Sequence, residues 1–490
     1  MAGPRSTLDP RLPVLVGLGT ASAGAPVVDL MTQAVQAAAA DAGAPGLLGA
    51  VDCLAVPRGT WSLTDPARAV ARRIGSPRAR TLRFEVGVSQ QEMLNHALAS
   101  VAAGVHEVVV VVGGEARRFL RGGGSETDPE HEPPDGVVVR PADFVAAIEV
   151  AAGIVLPPVQ QYALIENALA AARGLTPDEQ RDEIAALWAR CNAVAGHNPD
   201  AAFGAPRTAE EIATPGPRNR PLAHPYNVWH ASQWTVDQSS ALVICSAARA
   251  AEAGVPPDRW LFPHVGLHCS KAVTLTARRT LWAWPAMAVL GRAAEQQVGR
   301  PLRELRLAEV YSCFPAAVRV QQRELGLDPA GTPTLTGGMT FAGGPFNHFV
   351  LQSLVALGRR LRDEPAELGL ITAVSGMLSK PGLALWSASP PPSGRLPLVA
   401  DLADEAIAAT GVVPVVEVPP GARTPATVVS STVTYGGEGG LEPVRTAIVA
   451  DLPDGVRTAA TCEDAQTARL AVAEGLTGRV VEVKDTTFSL

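Results

Sequence analysis

The sequence predicts an α/β protein of two similar halves followed by a smaller, β-rich domain. Three observations predict it. Near-continuous apolar strand runs alternate with helices, as in sheets covered on both faces. The same order of elements returns about 250 residues later, which makes the repeat the first fact to explain. Beyond a Pro/Gly-rich linker at 387–397 (SASPPPSGRLP) the texture changes to short strands.

Composition bounds the function. The chain has 490 residues, 47% hydrophobic and 18% charged, which describes a globular protein with a large core and two or three domains. A net charge of −7, with no Lys/Arg cluster beside exposed aromatics, argues against a nucleic-acid partner. Runs such as Val108–Val112 fall far short of a membrane span, so no membrane insertion is expected. The N-terminus carries no charged-then-apolar signal, and the expected location is the cytoplasm. Cys53, Cys191, Cys245, Cys269, Cys313 and Cys462 lack paired spacing, so neither a disulfide frame nor a metal site is expected.

In chain order, Leu12–Leu18 reads as a buried strand and 26–42 as a helix stopped by Gly43. A strand at 49–56 follows, then helices near 66–74 and 91–103, and a strand at 107–112 closing on Gly113-Gly114. The sheet these strands build is expected to be mainly parallel. The stretch 121–136 (RGGGSETDPEHEPPDG) reads as exposed and mobile. A helical insertion comes next, one helix at 158–173 and another capped by Thr176 with Glu179 as a capping box. The segment 234–245 reads as a helix-then-strand unit.

The order then returns. The helix at 282–299 repeats the first helix, and 307–314 (LAEVYSCF) repeats GAVDCLAV. The stretch 337–358 (GGMTFAGGPFNHFVLQSLVALG), a glycine turn feeding an apolar helix, repeats the helix at 91–103. Asn-His pairs at 95–96 and 347–348 lie 252 residues apart, and Cys53 and Cys313 lie 260 apart. After the linker, strands are expected at 412–418, 426–435, 444–450, 456–462 and 480–483, with a helix at 464–473, which suggests a small OB-like barrel.

Four segments, VYSCFP (310–315), GGMTFAGGPFNH (337–348), VSGMLSKPG (374–382) and PYNVWHASQWTVDQSSALVI (225–244), make residues 10–390 resemble the thiolase superfamily. With its extra C-terminal domain the chain looks most like the thiolase-like protein type 1 group, often labelled acetyl-CoA acetyltransferases. The resemblance implies a five-layered thiolase-like fold in which residues 1–265 form the first half, including an insertion at about 116–228. Residues 266–388 then form the second half and 398–490 the OB-like domain.

It also implies a reacting set, most of which is missing. Thiolases use a cysteine at the N-terminus of the first buried helix, a Gly-His-Pro histidine, a second cysteine, and an Asn-Glu-Ala-Phe or His-Asp-Cys-Phe motif. Here the nucleophile region reads EVGVSQ (85–90), with Ser89 nearest the slot. The histidine turn reads Gly343-Gly344-Pro345, with Phe346 and His348 just beyond. The second cysteine is replaced in the Val374-Ser375-Gly376 stretch, and the motif becomes Tyr311-Ser312-Cys313-Phe314. The candidate catalytic residues are therefore Tyr311, His348 and Ser89, although a serine at a helix N-terminus is more often an N-cap than a nucleophile. The candidate substrate contacts are Ser312, Cys313, Phe314, Gly343, Gly344, Phe346, Ser375 and Gly376. His96 is read as the structural twin of His348.

The functional expectation is a protein that binds CoA or an acyl-CoA, needs no cofactor, and lacks ordinary thiolase activity. One alternative is an acyl-CoA carbon–carbon lyase of retro-aldol type using Tyr311, because some thiolase-fold aldolases carry Tyr-Asp-Cys-Phe and act with an OB-fold partner. The other is a non-catalytic scaffold whose C-terminal domain docks a protein partner.

Overall fold

The computed structural model describes residues 8–154, 158–392 and 396–490; the first seven residues and the 393–395 part of the expected linker lie outside them. The first half supplies β1 (Pro13–Ala21), β2 (Cys53–Pro57), β3 (Arg80–Phe84), β4 (Val108–Ala116) and β5 (Gly136–Val138). A short hairpin, β6 (Pro221–Ala223) and β7 (Tyr226–Asn227), precedes β8 (Asp237–Ser246). The first sheet runs β1-β8-β4-β2-β3-β5. The second half supplies β9 (Phe262–His268), β10 (Leu307–Glu309), β11 (Leu368–Ser375), β12 (Lys380–Ser387) and β13 (Leu398–Asp401), in the order β10-β11-β12-β9-β13. The sequence β1-β8-β4-β2 is thus repeated as β9-β12-β11-β10.

Both sheets are mainly parallel, as expected, each with one reversed strand inside it. β8 runs antiparallel to β1 and β4, and β12 antiparallel to β9 and β11. Continuous apolar runs such as Val108–Val112 report burial on both faces but carry no direction. Direction is set by the connections: β11 returns into β12 through a tight turn at 376–379, which only antiparallel strands allow.

Helix 27–41 covers the outer face of the first sheet and helix 285–298 that of the second. Between the sheets lie the two central helices, Gln90–Ala102 and Phe349–Asp363, completing five layers. Gly17 and Gly19 let the outer helix approach β1: a Cβ there would sit 2.3 Å from Ala38 O and 2.0 Å from Ala34 O. The halves keep a steady offset. The outer helices start 258 residues apart (Val27, Pro285), the central helices 259 apart (Gln90, Phe349), and β4 and β11 260 apart (Val108, Leu368).

Several expectations are corrected here. The second strand starts at Cys53, because Pro45–Ala50 winds into a 3₁₀ turn. The segment 307–314 is strand only through Glu309, and no helix precedes β8 at Trp234. The stretch 121–136 is pinned to the first half by its own carboxylates. Glu126 accepts the Val27 N–H at 2.7 Å, Asp128 the Thr64 N–H at 2.8 Å, and Asp135 the Thr81 N–H at 2.8 Å. The insertion helices Val159–Arg173 and Pro177–Ala195 form as expected, the second with the Thr176/Glu179 capping box.

The C-terminal strands β14 (Arg423–Gly436), β15 (Glu442–Asp451), β16 (Arg457–Cys462), β17 (Val480–Lys484) and β18 (Thr487–Ser489) close into a five-stranded barrel in the order β14-β15-β16-β18-β17 and back to β14. Val428, Ile448, Val483 and Phe488 fill it under helix 465–474. The expected strand at 412–418 is extended chain touching β16 by one bridge at Val415, and the fifth strand is instead the short polar β18. β13 and helix 403–410 belong with the second sheet and helix 285–298, while β6 of the insertion adds onto β14. Among the described residues, no helix is long and apolar enough to cross a membrane.

Candidate functional site

The site is built where the N-termini of the two central helices meet. Ser89 is the N-cap of the first, and its Oγ accepts the Glu92 N–H at 3.1 Å. His348 is the N-cap of the second. The first helical residue of one reaches the other: Gln90 Oε1 accepts the Val350 N–H at 2.7 Å. A helix N-terminus leaves its first N–H groups unpaired, and here one is satisfied by the partner helix rather than by its own chain.

His348 is buried, and its Cβ lies against Gly113, where an added Cβ would approach it to 2.3 Å. Gly113 lies within β4 and not in a turn, and this close approach is what requires a glycine there. His348 Nε2 is buried without a hydrogen-bond partner, and burial pushes the imidazole pKa down to about 3, so the ring is neutral at physiological pH. His96 is not its twin. It is exposed on the first central helix with its ring edge-on to Phe84 at 5.5 Å. Ser89 and His348, both N-caps, are the equivalent pair. The two asparagines differ likewise. Asn95 donates to Gly266 O at 3.0 Å and lies 2.9 Å from His268 Nδ1, whereas Asn347 donates to Arg58 O at 3.2 Å.

The Tyr311–Phe314 segment leaves β10 and runs under the same helix ends. Tyr311 packs edge-on against Phe349 at 5.9 Å, and its hydroxyl is hydrogen-bonded to the Gln90 side chain. Its backbone is fixed by Thr372 Oγ1 and Gln321 Nε2. Burial raises the phenol pKa, so the Tyr311 hydroxyl is a neutral phenol and not a phenolate. Ser312 Oγ accepts the Met339 N–H at 3.1 Å and faces Gly338, tying this segment to the glycine turn. Cys313 O accepts the Ser232 N–H, and burial pushes its thiol up to about 12.

The glycine turn is packed, not open. Gly343, at φ +100°, leaves room for Gln238, whose Nε2 donates to Ala342 O at 2.9 Å. Gly344 donates to Gln233 O at 2.9 Å, and a Cβ on it would collide with Ser232 Oγ. The second central helix starts only at Phe349, so Phe346 falls before it and is 38% exposed. On the opposite wall, Ser375 ends β11 and Gly376 follows at φ +70°. The structure thus joins Ser89, His348, Tyr311, Ser312, Cys313, Phe314, Gly343, Gly344 and Gly376 into one contiguous region and leaves Phe346 at its surface.

Sequence reasoning missed the aromatic block beside it. Tyr162, from insertion helix 159–173, stacks on Phe314 at 4.6 Å, donates to Gly376 O at 3.2 Å, and sets its hydroxyl beside the Cys313 thiol. Tyr226 covers Phe314 at 5.5 Å, donates to the buried Glu166 at 2.7 Å, and accepts the Ala316 N–H. Arg319 holds Glu166 from the other side. The one sequence signal was compositional: the chain has only four tyrosines, and three of them meet here. Among the described residues, no group of three or more His, Cys, Asp or Glu side chains is placed to hold a metal ion.

Comparison with known proteins bears on the fold. No family model matches the chain, and none of the curated proteins matches it. Among solved structures it is similar to a monomeric SCP2-thiolase-like protein type 1 from Mycobacterium smegmatis, 28% identical over 99% of this chain and 100% of that one, with a TM-score of 0.83. The Ltp2-ChsH2(DUF35) aldolase is 21% identical over 77% of this chain and 98% of that one, TM-score 0.58. Human mitochondrial 3-ketoacyl-CoA thiolase is 15% identical over 77% and 99%, TM-score 0.56. The last two establish likeness of fold alone, whereas the likeness to the first extends over nearly the whole chain.

Proposed function

We propose that this chain, similar to a thiolase-like protein over nearly its whole length, is a member of the thiolase superfamily that binds CoA or an acyl-CoA without carrying out ordinary thiolase acyl transfer. One observation carries the reading: the N-cap of the first central helix is Ser89, with its oxygen already accepting the Glu92 N–H. Thiolysis needs a thiolate at that helix end, where the dipole lowers its pKa. The buried cysteines with a resolved shift, Cys53, Cys191, Cys245, Cys269 and Cys313, are all raised, the lowest to about 11. None of them caps a central helix. Losing a covalent nucleophile removes orders of magnitude of rate.

Ligand binding is supported by the polar atoms left at the meeting of the helix ends. His348 Nε2 has no partner among the described residues, and a buried polar group without one is costly. A thioester or pantetheine oxygen reaching this point would satisfy an Nε2–H. No cofactor is part of the proposal, since the atoms needed for binding are all side-chain and backbone donors.

A second reading is favoured by Tyr311. A retro-aldol cleavage of a β-hydroxyacyl-CoA breaks the Cα–Cβ bond, removes the β-hydroxyl proton, and leaves an enolate that must be stabilised and reprotonated. Tyr311, neutral and hydrogen-bonded to Gln90, is suited to donate to that enolate, whereas burial makes the neutral His348 a weak proton acceptor.

Calorimetry with CoA and acetyl-CoA separates these readings. Saturable heat and a thermal shift at millimolar ligand are expected; neither appearing would leave the third reading, a scaffold docking a protein partner through its barrel. Equal cleavage of a β-hydroxyacyl-CoA by wild type and Tyr311→Phe would sink the lyase.

A further inference from the structure

A cavity of about 410 Å³ lies away from the central helices, where three separate parts of the chain come together. One wall is the small-residue face of insertion helix 159–173, at Ala168, Ala171 and Ala172. The second is the segment 279–282, and the third is the barrel, at Val429 and at the Asp451 and Arg457 ends of β15 and β16. Its volume falls within the range of small-molecule sites.

The charges on its walls are unequal in availability. Arg457 is buried and spent: Nε donates to Asp451 at 2.7 Å, and its other N–H groups go to the carbonyls of Thr276, Arg278 and Arg279. That same bond occupies Asp451, so the pair contributes no net charge. Arg279 is different. It is exposed at the rim, lies over Gly411, and has no carboxylate partner among the described residues. The remaining lining is apolar or hydroxylic: Leu281, the Trp282 ring backed by the Arg323 guanidinium at 4.0 Å, Thr280 and Thr477.

We propose that this cavity binds a small amphipathic carboxylate, of the size of a medium-chain fatty acid, with its head on the Arg279 guanidinium and its chain along Ala171, Ala172 and the Trp282 ring. A planar guanidinium matches a carboxylate in a two-pronged geometry. One uncompensated cation neutralises a monoanion, whereas a phosphate dianion would call for a second. The apolar floor then accounts for the body of the ligand. A ligand seated there touches core, insertion and barrel at once, so its binding stabilises their junction. The site is independent of the CoA reading.

The test is titration of the full-length protein with decanoate, kept below its micelle concentration, followed by calorimetry and thermal shift. Saturable one-to-one binding is expected, weakened about tenfold or more by Arg279→Ala and less by Arg279→Lys. Ala171→Trp, on the exposed side of the helix, fills the space and is expected to abolish binding. Thr477→Trp closes the same cavity from a surface loop should the helix variant misfold. Decanol, with the same chain and no charge, is expected to bind at least tenfold more weakly. No heat at millimolar decanoate, undiminished binding in a folded cavity-filling variant, or equal affinity for decanol would each overturn the proposal.

Discussion

Gln90 Oε1 accepts the Val350 N–H at 2.7 Å, joining the first turn of one central helix to the first turn of the other. The same side chain holds the Tyr311 hydroxyl. A single carboxamide therefore ties together both halves of the repeat and the candidate proton donor. Gln90→Ala leaves the buried Val350 N–H unpaired, and a buried donor without a partner costs about 1–3 kcal/mol. Chemical denaturation of this variant is expected to lose that much stability; a loss well under 0.5 kcal/mol would mean that water replaces the amide.

Ser89 is expected to behave as a cap and nothing more. Ser89→Ala should cost about 1 kcal/mol, the usual value for an N-cap hydroxyl, while Ser89→Asp should retain most of the stability. Acyl-CoA binding measured by calorimetry should be unchanged in Ser89→Ala. Accumulation of an acyl-enzyme in wild type that disappears in this variant would make Ser89 a nucleophile.

Much of the frame was legible, and the reasons it was differ from the reasons the rest was not. The helices at 27–41 and 90–102 and the start of β4 at Val108 have patterns that burial dictates directly, so they follow from the sequence to within a residue or so, whereas β4 runs on through Gly113 and Gly114 to Ala116, where the apolar run has stopped. The Thr176/Glu179 box works the same way, through local chemistry. The register of the repeat was misread at the Asn-His pairs because 259 and 252 differ by seven residues, close to two helical turns. A slip of two turns returns each residue to nearly the same face, so an apolar pattern cannot detect it. Tyr162 was missed for another reason. Its partners Phe314, Gly376 and Cys313 lie more than a hundred residues away, and nothing local marks it. β18, three residues long with a single buried side chain, is a strand only because β16 and β17 flank it.

Tyr162 closes the space beside Cys313, and its removal should expose that thiol. Tyr162→Ala deletes a fully packed aromatic side chain, for which about 3–5 kcal/mol of stability is the usual loss. Alkylation of the native protein by iodoacetamide, followed by mass spectrometry, is expected to leave Cys313 unmodified in wild type. In Tyr162→Ala it should label measurably faster, as solvent reaches it and its thiol pKa falls from about 12. Tyr162→Phe keeps the stack on Phe314 and should stay unlabelled. Labelling of Cys313 in wild type at the rate of a free thiol would show that the aromatic block does not seal it.

Glu309 fixes the approach to the glycine turn and should leave a signature in the pH dependence of stability. Its carboxyl is buried at the end of β10. Oε2 accepts the Leu335 and Thr336 N–H groups at 2.6 and 2.8 Å, while Oε1 faces the hydroxyls of Thr334 and Thr336. Burial outweighs these bonds and raises the pKa to about 7 from the usual carboxyl value. The folded state therefore binds this proton more tightly than the unfolded chain does. The contribution is fully present below the unfolded pKa of about 4.5 and is lost as pH rises through about 7, with a slope of at most about 1.4 kcal/mol per pH unit. His348 and His230, lowered to about 3, act oppositely: their contribution is present above about 6.5 and lost as pH falls. Glu309→Gln keeps an acceptor for the two N–H groups and donates to the two hydroxyls, so it should fold. Urea unfolding between pH 5 and 7 should then rise more steeply with pH than in wild type, because the opposing proton has been removed. Identical pH profiles for the two proteins would mean that Glu309 is ionised throughout this range and held by its four donors.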